Sequence, residues 1–509
     1  MSSVHTVTVG MVGAGPKALM ALRALDTELA ARATATGRRC TVRVDLFDPW
    51  QPGSGRVWDP TQPAHLLMNV DPSMVDLRSP HVPHDFRTWE AHHAAAVGQR
   101  AGQQFPPRRL VGHYLAWVYE CLSRSPHLEL HHEPAPVTRI ERMGQRWQFT
   151  SPAGTTGPYD HVLLTTGHHA HGDSATSFGP QVGPDHRALM DPDGPVAAGS
   201  HVTVVGAALT GLDVVRSLTL GRPEAMPARI TLVSRGGHLL LPKPVRTEQS
   251  VVDCVRARTA DLPDYDRDPS MWWDELVTAA GAAAKSQRQS LDPEVARAYL
   301  DGLVEPEDME QQWRMGLAWA NGQPTDDARW WLGRAWSAGY SDVVRTLERR
   351  PRDHVWWPRW RERAARLERW AFGPPASTIE HMLELLERGQ LHLARSVAAD
   401  AVRVDAFIEP PGAQSPLLRQ LIASGLGHVR PEERGIFTLP DAICVDAVGN
   451  RLEGLAAVGR PTEDPVIGHD TLSSTLHHDI TRWAKRCAWA SEREAQELLS
   501  TQSSLARQS

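Results

Sequence analysis

Two glycine-punctuated turns constrain this chain more than any other feature. Residues 9–18 read Val-Gly-Met-Val-Gly-Ala-Gly-Pro-Lys-Ala, and residues 204–211 read Val-Val-Gly-Ala-Ala-Leu-Thr-Gly. Each has the form of a β-strand turning sharply into a helix, with small residues where backbone must approach a bound phosphate. One such turn could hold any dinucleotide. Two in one chain point to two dinucleotides held face to face, the arrangement needed to pass hydride from a nicotinamide to a flavin.

The first turn follows the β-rich Thr6-Val7-Thr8-Val9 and opens a helix expected over Ala18–Ala31. Gly13 permits the tight turn, and Gly15 lets the amides of the Ala14-Gly15-Pro16-Lys17 stretch approach a pyrophosphate. Ala18 is small enough for the helix to lie close on the strand, with the phosphate at the positive helix end. A second strand over Thr41–Phe47 ends in Asp48, placed to accept from ribose hydroxyls. Asp48 stands farther on than the usual ~20 residues, so a long helix or loop is expected between the strands.

The second turn follows the apolar strand His201–Val205 and places Gly206, Ala208 and Gly211 at the three fingerprint positions, with Thr210 beside the last. Ala208 adds a methyl where the closest approach to phosphate is wanted. The next strand, Arg229–Val233, ends in Ser234-Arg235 rather than an acid. An acid would suit a free ribose 2′-hydroxyl, whereas Ser plus Arg suits a 2′-phosphate, so NADPH is expected over NADH.

Between the turns, residues 50–69 are rich in Gly and Pro and lack periodicity, which makes them a long loop at the ligand-binding edge of the sheet. Phe105–Arg109 opens a helix over Leu110–Leu122, and His161–Thr165 reads as a buried strand ending in Thr166-Gly167-His168. The combination Gly-Ala-Gly-Pro-Lys, Gly-Arg-Val-Trp…Leu-Leu-Met-Asn, Phe-Pro-Pro-Arg…Gly-His-Tyr-Leu and Thr-Thr-Gly-His resembles the bacterial FAD/NAD(P)-binding family. That family includes flavin-dependent urate hydroxylase and nitrosuccinate-forming aspartate N-monooxygenase. The resemblance extends to Phe372-Gly373-Pro374-Pro375 and Val458–Glu463, and leaves roughly 247–350 unmatched. Two positions depart from it: Ala208, and Val70-Asp71-Pro72 after Asn69.

The resemblance implies FAD at Gly13, Ala14, Gly15, Pro16, Lys17 and Asp48. It adds Trp58, Met68, Asn69, Val137, Thr166, Gly167, Gly459 and Arg460 as further contacts on the same cofactor. NADPH would lie at Gly206, Ala208, Thr210, Gly211, Ser234 and Arg235. Reduced flavin would capture O₂ as a C4a-hydroperoxide and pass its distal oxygen to a nucleophilic substrate atom. Asn69 is the candidate catalytic residue, because a neutral amide donates and accepts at once; as a loop asparagine it could equally satisfy local backbone.

Composition narrows the class. With 41% hydrophobic and 22% charged residues, the 509-residue chain is a folded protein too long for one core. A net charge of −6 leaves no footprint for nucleic acid or an anionic membrane. No run of about 18 apolar residues exists, and the N-terminus leaves no room for a signal peptide, so a cytoplasmic protein is expected. Nothing here excludes a homo-oligomer. The five cysteines form no CxxC, and the histidines cluster as adjacent pairs whose side chains diverge, so no metal is expected.

The stretch from Val251 to about Gln390 is helical in pattern and holds most of the 18 tryptophans. Aromatics at helical spacing are usually core, though an insert at this place could also cap an active site. Arg359, Arg363 and Arg366 share one helical face, either clamping a substrate carboxylate or solvated beside Glu362 and Glu368. Lys243 and Arg246 are competing substrate or phosphate contacts.

The expected architecture is α/β: two Rossmann-like dinucleotide-binding domains with an α-helical insert. The FAD domain would take 1–185 and 371–509, the NADPH domain 186–250 and the insert 251–370, with a closing helix over Asp470–Leu499. The leading functional expectation is an FAD- and NADPH-dependent monooxygenase acting, with O₂, on a small polar substrate, above all the amine of an aspartate-like amino acid. The alternatives are C-hydroxylation of a purine-like ring such as urate, and a flavin reductase without oxygenated product.

Overall fold

The computed structural model describes residues 7–167, 185–244, 247–262, 269–397, 401–407, 412–469 and 471–491. Two parallel sheets organise them. The first has the order β12-β13-β7-β1-β2-β3, built from β1 (Thr8–Val12), β2 (Val42–Phe47), β3 (Leu128–Glu133), β7 (His161–Leu164), β12 (Ile443–Val445) and β13 (Arg451–Ala457). Only β12 runs antiparallel to its neighbour. Between β3 and β7 the chain forms an antiparallel meander of β4 (Arg139–Met143), β5 (Arg146–Ser151) and β6 (Gly154–Tyr159). The second sheet has the order β10-β9-β8-β11, from β8 (His201–Val205), β9 (Arg229–Val233), β10 (Leu391–Ala394) and β11 (Val402–Asp405), all parallel.

Both sheets are wound outward from a first strand, so the strand order reverses between β1 and β7 and again between β8 and β11. Ligands of such sheets bind in the crevice at that reversal, beyond the carboxyl ends of the strands. Burial on both faces explains why the central strands β1, β7 and β8 are mostly apolar, whereas β2 (Val-Arg-Val-Asp-Leu-Phe) and β3 (Leu-Glu-Leu-His-His-Glu), farther out, carry charged residues at alternate positions.

The helix after β1 spans Pro16–Thr36, longer than the sequence pattern suggested, and Gly37 ends it in the left-handed region at φ 66°. Its 21 residues account for the distance to Asp48. Leu19, Leu22, Leu25 and Leu29 bury one stripe against the sheet. Each such side chain contributes about 1.5–3 kcal/mol, and Leu22→Ala would cost about 2–5 kcal/mol.

Between β9 and β10 lie six consecutive helices, Gln249–Thr259, Pro269–Ser286, Pro293–Leu300, Met309–Ala320, Ala328–Leu347 and Trp356–Ala371, followed by Ala376–Glu387. Asp292, Asp308 and Asp327 cap three of them by accepting from amides in the first turn. Trp272, Trp313, Trp336 and Trp357 are fully buried, and Trp357 stacks on Trp360 with centroids 4.8 Å apart. These tryptophans are core.

The second sheet takes β10 and β11 from beyond the helices. A chain assigned to the first domain from 371 onward in the sequence reading therefore completes the second sheet first, and returns to the first sheet at β12. The closing helix is helical over 479–491 among the described residues.

Candidate functional site

The two glycine turns sit at the two reversals with matching geometry. Gly13 has φ 99°, and a Cβ there would stand 2.7 Å from the carbonyl oxygen of Thr165, just beyond β7. Gly206 has φ 111°, and a Cβ there would stand 3.0 Å from the carbonyl oxygen of Ala406, just beyond β11. Only glycine tolerates both demands. Gly15 differs: a Cβ there would meet nothing within 4 Å, so the first turn faces open space where a pyrophosphate would stand at the helix end. Gly211 packs its helix onto the strand, since a Cβ there would lie 1.9 Å from the Gly206 carbonyl.

Asp48 closes the first turn from the side. Its carboxylate accepts from the Ala14 amide at 2.8 Å and the Trp50 amide at 2.9 Å. Gly53 N–H donates to Ala14 O at 2.7 Å, and Gly55 comes so near that a Cβ on it would stand 3.1 Å from Gly15 Cα. Gly53 and Gly55, both at positive φ, thus fold the loop over the turn. In the sequence the loop is marked by its Gly and Pro content, and the Gly-Ser-Gly spacing is the signal for these two glycines.

The quoted motifs hold the two sheets together. Gly112 lets the loop pass, because a Cβ there would meet the Trp58 carbonyl oxygen at 1.7 Å. Arg108 donates to Leu67 O at 3.1 Å and pairs with Asp213, on the helix Leu209–Thr219 after β8, at 2.6 Å. His65 Nε2 lies 2.9 Å from Ser217 Oγ on that same helix.

At this junction Lys243 Nζ donates to Asn69 O at 2.6 Å, and Asn69 Nδ2 donates to Phe372 O at 3.3 Å. The Lys243 ammonium also stands 5.5 Å from the centre of the Phe372 ring. Gly373 makes this possible: a Cβ there would lie 1.7 Å from Leu241 O, so only glycine lets the two segments cross. Burial, and then the positive charge of Arg334, push the Lys243 ammonium down to about 7. Arg334 is itself buried, donates to Trp370 O, and is lowered by burial to about 10.

Gly459, at φ 84°, approaches Lys17 from the other side of the first turn. Its amide donates to His469 Nδ1 at 2.7 Å, and His469 Nε2 stands 3.0 Å from Asp479, which Arg349 also contacts at 3.2 Å. All of the His469 and Asp479 side chains are buried. Burial holds the His469 imidazole below its ordinary range, and its accepting Nδ1 fits the neutral form.

Comparison with known proteins fits this geometry. Residues 10–169 match the family described as FAD-NAD(P)-binding. The chain is 25% identical over 538 aligned residues to L-aspartate N-monooxygenase (nitrosuccinate-forming) of Streptomyces davaonensis, covering 81% of this chain and 80% of that protein. It is 30% identical over 236 residues to nitrosuccinic acid synthase of Aspergillus oryzae, covering 42% of this chain and only 35% of the fungal protein's length. Among solved structures it resembles L-lysine 6-monooxygenase from Pseudomonas syringae, at 13% identity and a TM-score of 0.47 over 96% of this chain and 100% of that one.

The expected site residues fall into three groups. Gly13, Ala14, Gly15, Pro16, Lys17, Asp48 and Gly459 converge on the first turn, with Arg460 following Gly459 in a short 3-10 turn. Gly206, Ala208, Thr210 and Gly211 form the second, where Ala208 is the exposed helix N-cap. Asn69 and Lys243 make the third, where they meet each other. Thr166 and Gly167 follow Thr165, whose hydroxyl donates to Gly13 O at 2.8 Å.

Other expectations change. Met68 and Val137 are buried in apolar clusters, so any part they take in holding a cofactor falls to their backbone. Ser234 spends its hydroxyl hydrogen on His238 O at 2.6 Å. Arg363 pairs with Asp301 at 2.5 Å and stands over Trp273, while Arg359 is exposed. Arg359 lies 13 residues before Phe372, roughly 20 Å along the helix from the Asn69–Lys243 junction. The arginine face is thus structural rather than a clamp at that junction. Arg246 lies outside the described residues. No helix among the described residues is long and apolar enough to cross a membrane, and no metal-ligand cluster occurs among them.

Proposed function

We propose that this protein is an FAD- and NADPH-dependent monooxygenase that oxygenates the amine nitrogen of a small, aspartate-like amino acid. The observation that carries the reading is the Lys243–Asn69–Phe372 junction, where the loop leaving one nucleotide sheet meets the segment leaving the other. Bound FAD, reduced by NADPH, would supply oxygen activation. One oxygen atom of O₂ would join the substrate nitrogen, the other would leave as water, and NADPH would supply the two electrons.

The residues of this chain would bind and orient. The cradle at Gly13–Gly15, open at Gly15 and flanked by Asp48, suits the flavin pyrophosphate and ribose. The Gly206–Gly211 turn suits NADPH. Lys243, when charged, has three N–H donors and spends one on Asn69, which leaves two for a substrate carboxylate. Asn69 Oδ1 is available to accept from the substrate amine. The likeness to L-aspartate N-monooxygenase over 81% of the chain favours this substrate class. The insert's fully buried Trp272, Trp313, Trp336 and Trp357 lend no support to a purine-stacking wall.

The test is NADPH oxidation under air with aspartate, other amino acids and urate. Stimulation by aspartate with a hydroxylamine or nitro product supports the reading. Stimulation by urate alone moves the function to ring hydroxylation, and substrate-independent peroxide leaves a flavin reductase.

A further inference from the structure

The carboxyl edge of the second sheet carries an arginine that the glycine turn does not reveal. Val233 pairs with Ala394 in parallel register, and Ser234 N–H donates to Ala394 O at 2.9 Å. Ser234 and Arg395 therefore leave the sheet side by side. The Arg395 guanidinium lies over the turn after β9, where a Cβ on Gly237 would stand 2.7 Å from its Nε and Nη2. Arg235 is exposed in the same turn, and among the described residues neither arginine has an acidic partner.

The surroundings are positive as well. Arg369, half-buried near the end of the helix Trp356–Ala371, makes no ion pair among the described residues, and its carbonyl accepts from Leu241 N–H at 3.0 Å. His238, in the turn between Arg235 and Leu241, is held below the ordinary imidazole range by burial and then by Arg369, Arg366 and Arg395, opposed by Glu305. Guanidinium groups collected at a strand edge repel one another until an anion joins them.

We propose that Arg395, acting with Arg235, binds the ribose 2′-phosphate of NADPH and makes this site select NADPH over NADH. The inference rests on the NADPH reading above and adds the residue from β10. Two planar forks just beyond the ends of adjacent strands can each take two oxygens of one phosphate, a geometry lysine does not reproduce. With NADH the ribose hydroxyl would leave both forks without an anion.

The test is calorimetric binding of adenosine 2′,5′-bisphosphate and of adenosine 5′-monophosphate to the full-length protein, wild type, Arg395→Ala and Arg395→Lys. Thermal unfolding of each variant checks the fold. The expected result is wild-type preference for the bisphosphate, a loss of about tenfold or more in that affinity in Arg395→Ala, partial retention in Arg395→Lys, and unchanged binding of the monophosphate. Undiminished bisphosphate binding by folded Arg395→Ala overturns the role of Arg395 and leaves the NADPH reading standing. Equal loss for both ligands overturns it too, because the effect would then concern the adenosine. Wild-type indifference to the 2′-phosphate overturns the NADPH reading itself.

Discussion

Lys243 Nζ donates to the main-chain carbonyl of Asn69 at 2.6 Å, tying the segment that leaves one nucleotide sheet to the loop that leaves the other. The contact has a pH signature. The ammonium is pushed down to about 7 in the fold from an ordinary 10.5, by burial first and Arg334 second. Between those values the unfolded chain holds the extra proton, so this group makes stability rise as pH rises from 7 to 10.5. Denaturant unfolding of wild type and Lys243→Met across that range should show the rise reduced in the variant. An identical slope in both would contradict a buried ammonium.

Gly13 and Gly15 should separate folding from flavin binding. Gly13→Ala forces a side chain into φ 99° and against the Thr165 carbonyl, so the apo-protein should lose about 1–3 kcal/mol or more. Gly15→Ala meets open space and should cost the apo-protein about 1 kcal/mol or less, as a weaker N-cap. Flavin titration should nevertheless fail or weaken in both. Retention of normal flavin affinity by Gly15→Ala would remove the pyrophosphate from this turn.

Acid should loosen the contact between the first loop and the second sheet. His65 is lowered to about 4 by burial, then by Arg216, His186 and His381. A histidine kept neutral in the fold takes up its proton more readily when unfolded, so its contribution is lost as pH falls from 6.5 towards 4. His477, lowered to about 3 mainly by burial, acts in the same direction. Thermal midpoints measured from pH 7 to 4 should fall less steeply in His65→Gln than in wild type, with the remaining slope shared by His477 and the other histidines that burial holds low, such as His161, His186, His381 and His469.

Arg108 reaches Asp213 at 2.6 Å across the same boundary, with both side chains largely out of water. Arg108→Met should leave the carboxylate without its partner and cost about 1–3 kcal/mol, measurable by thermal unfolding. The double variant Arg108→Met with Asp213→Asn should recover part of that loss. An effect confined to Asp213→Asn would show that the pair does not couple the two sheets.

The glycine turns were legible because their chemistry is local: a strand, a positive-φ glycine, a helix and an acid within one βαβ unit. Gly13, Asp48 and Gly206 needed no knowledge of distant chain. The assignment of β10 and β11 was not legible in that way, since strand pairing joins Leu391–Ala394 to Arg229–Val233 across seven helices. Spacing likewise put Arg359 and Arg363 on one face without saying what the face meets, which turned out to include Asp301 and Trp273. Asn69 and Lys243 could be named separately, but their contact depends on Gly373 letting Leu241 pass. Arg395 left no sequence signal, because only the register of Ala394 against Val233 brings it beside Ser234.

The proposed function requires oxygen transfer to an amino-acid nitrogen. The most direct measurement is mass spectrometry of the product formed by the FAD-loaded protein with NADPH, aspartate and isotopically labelled O₂. Labelled oxygen is expected on the aspartate nitrogen, as a hydroxylamine or a more oxidised nitrogen product, with NADPH consumed in step. Unaltered aspartate with NADPH converted wholly to peroxide would contradict it.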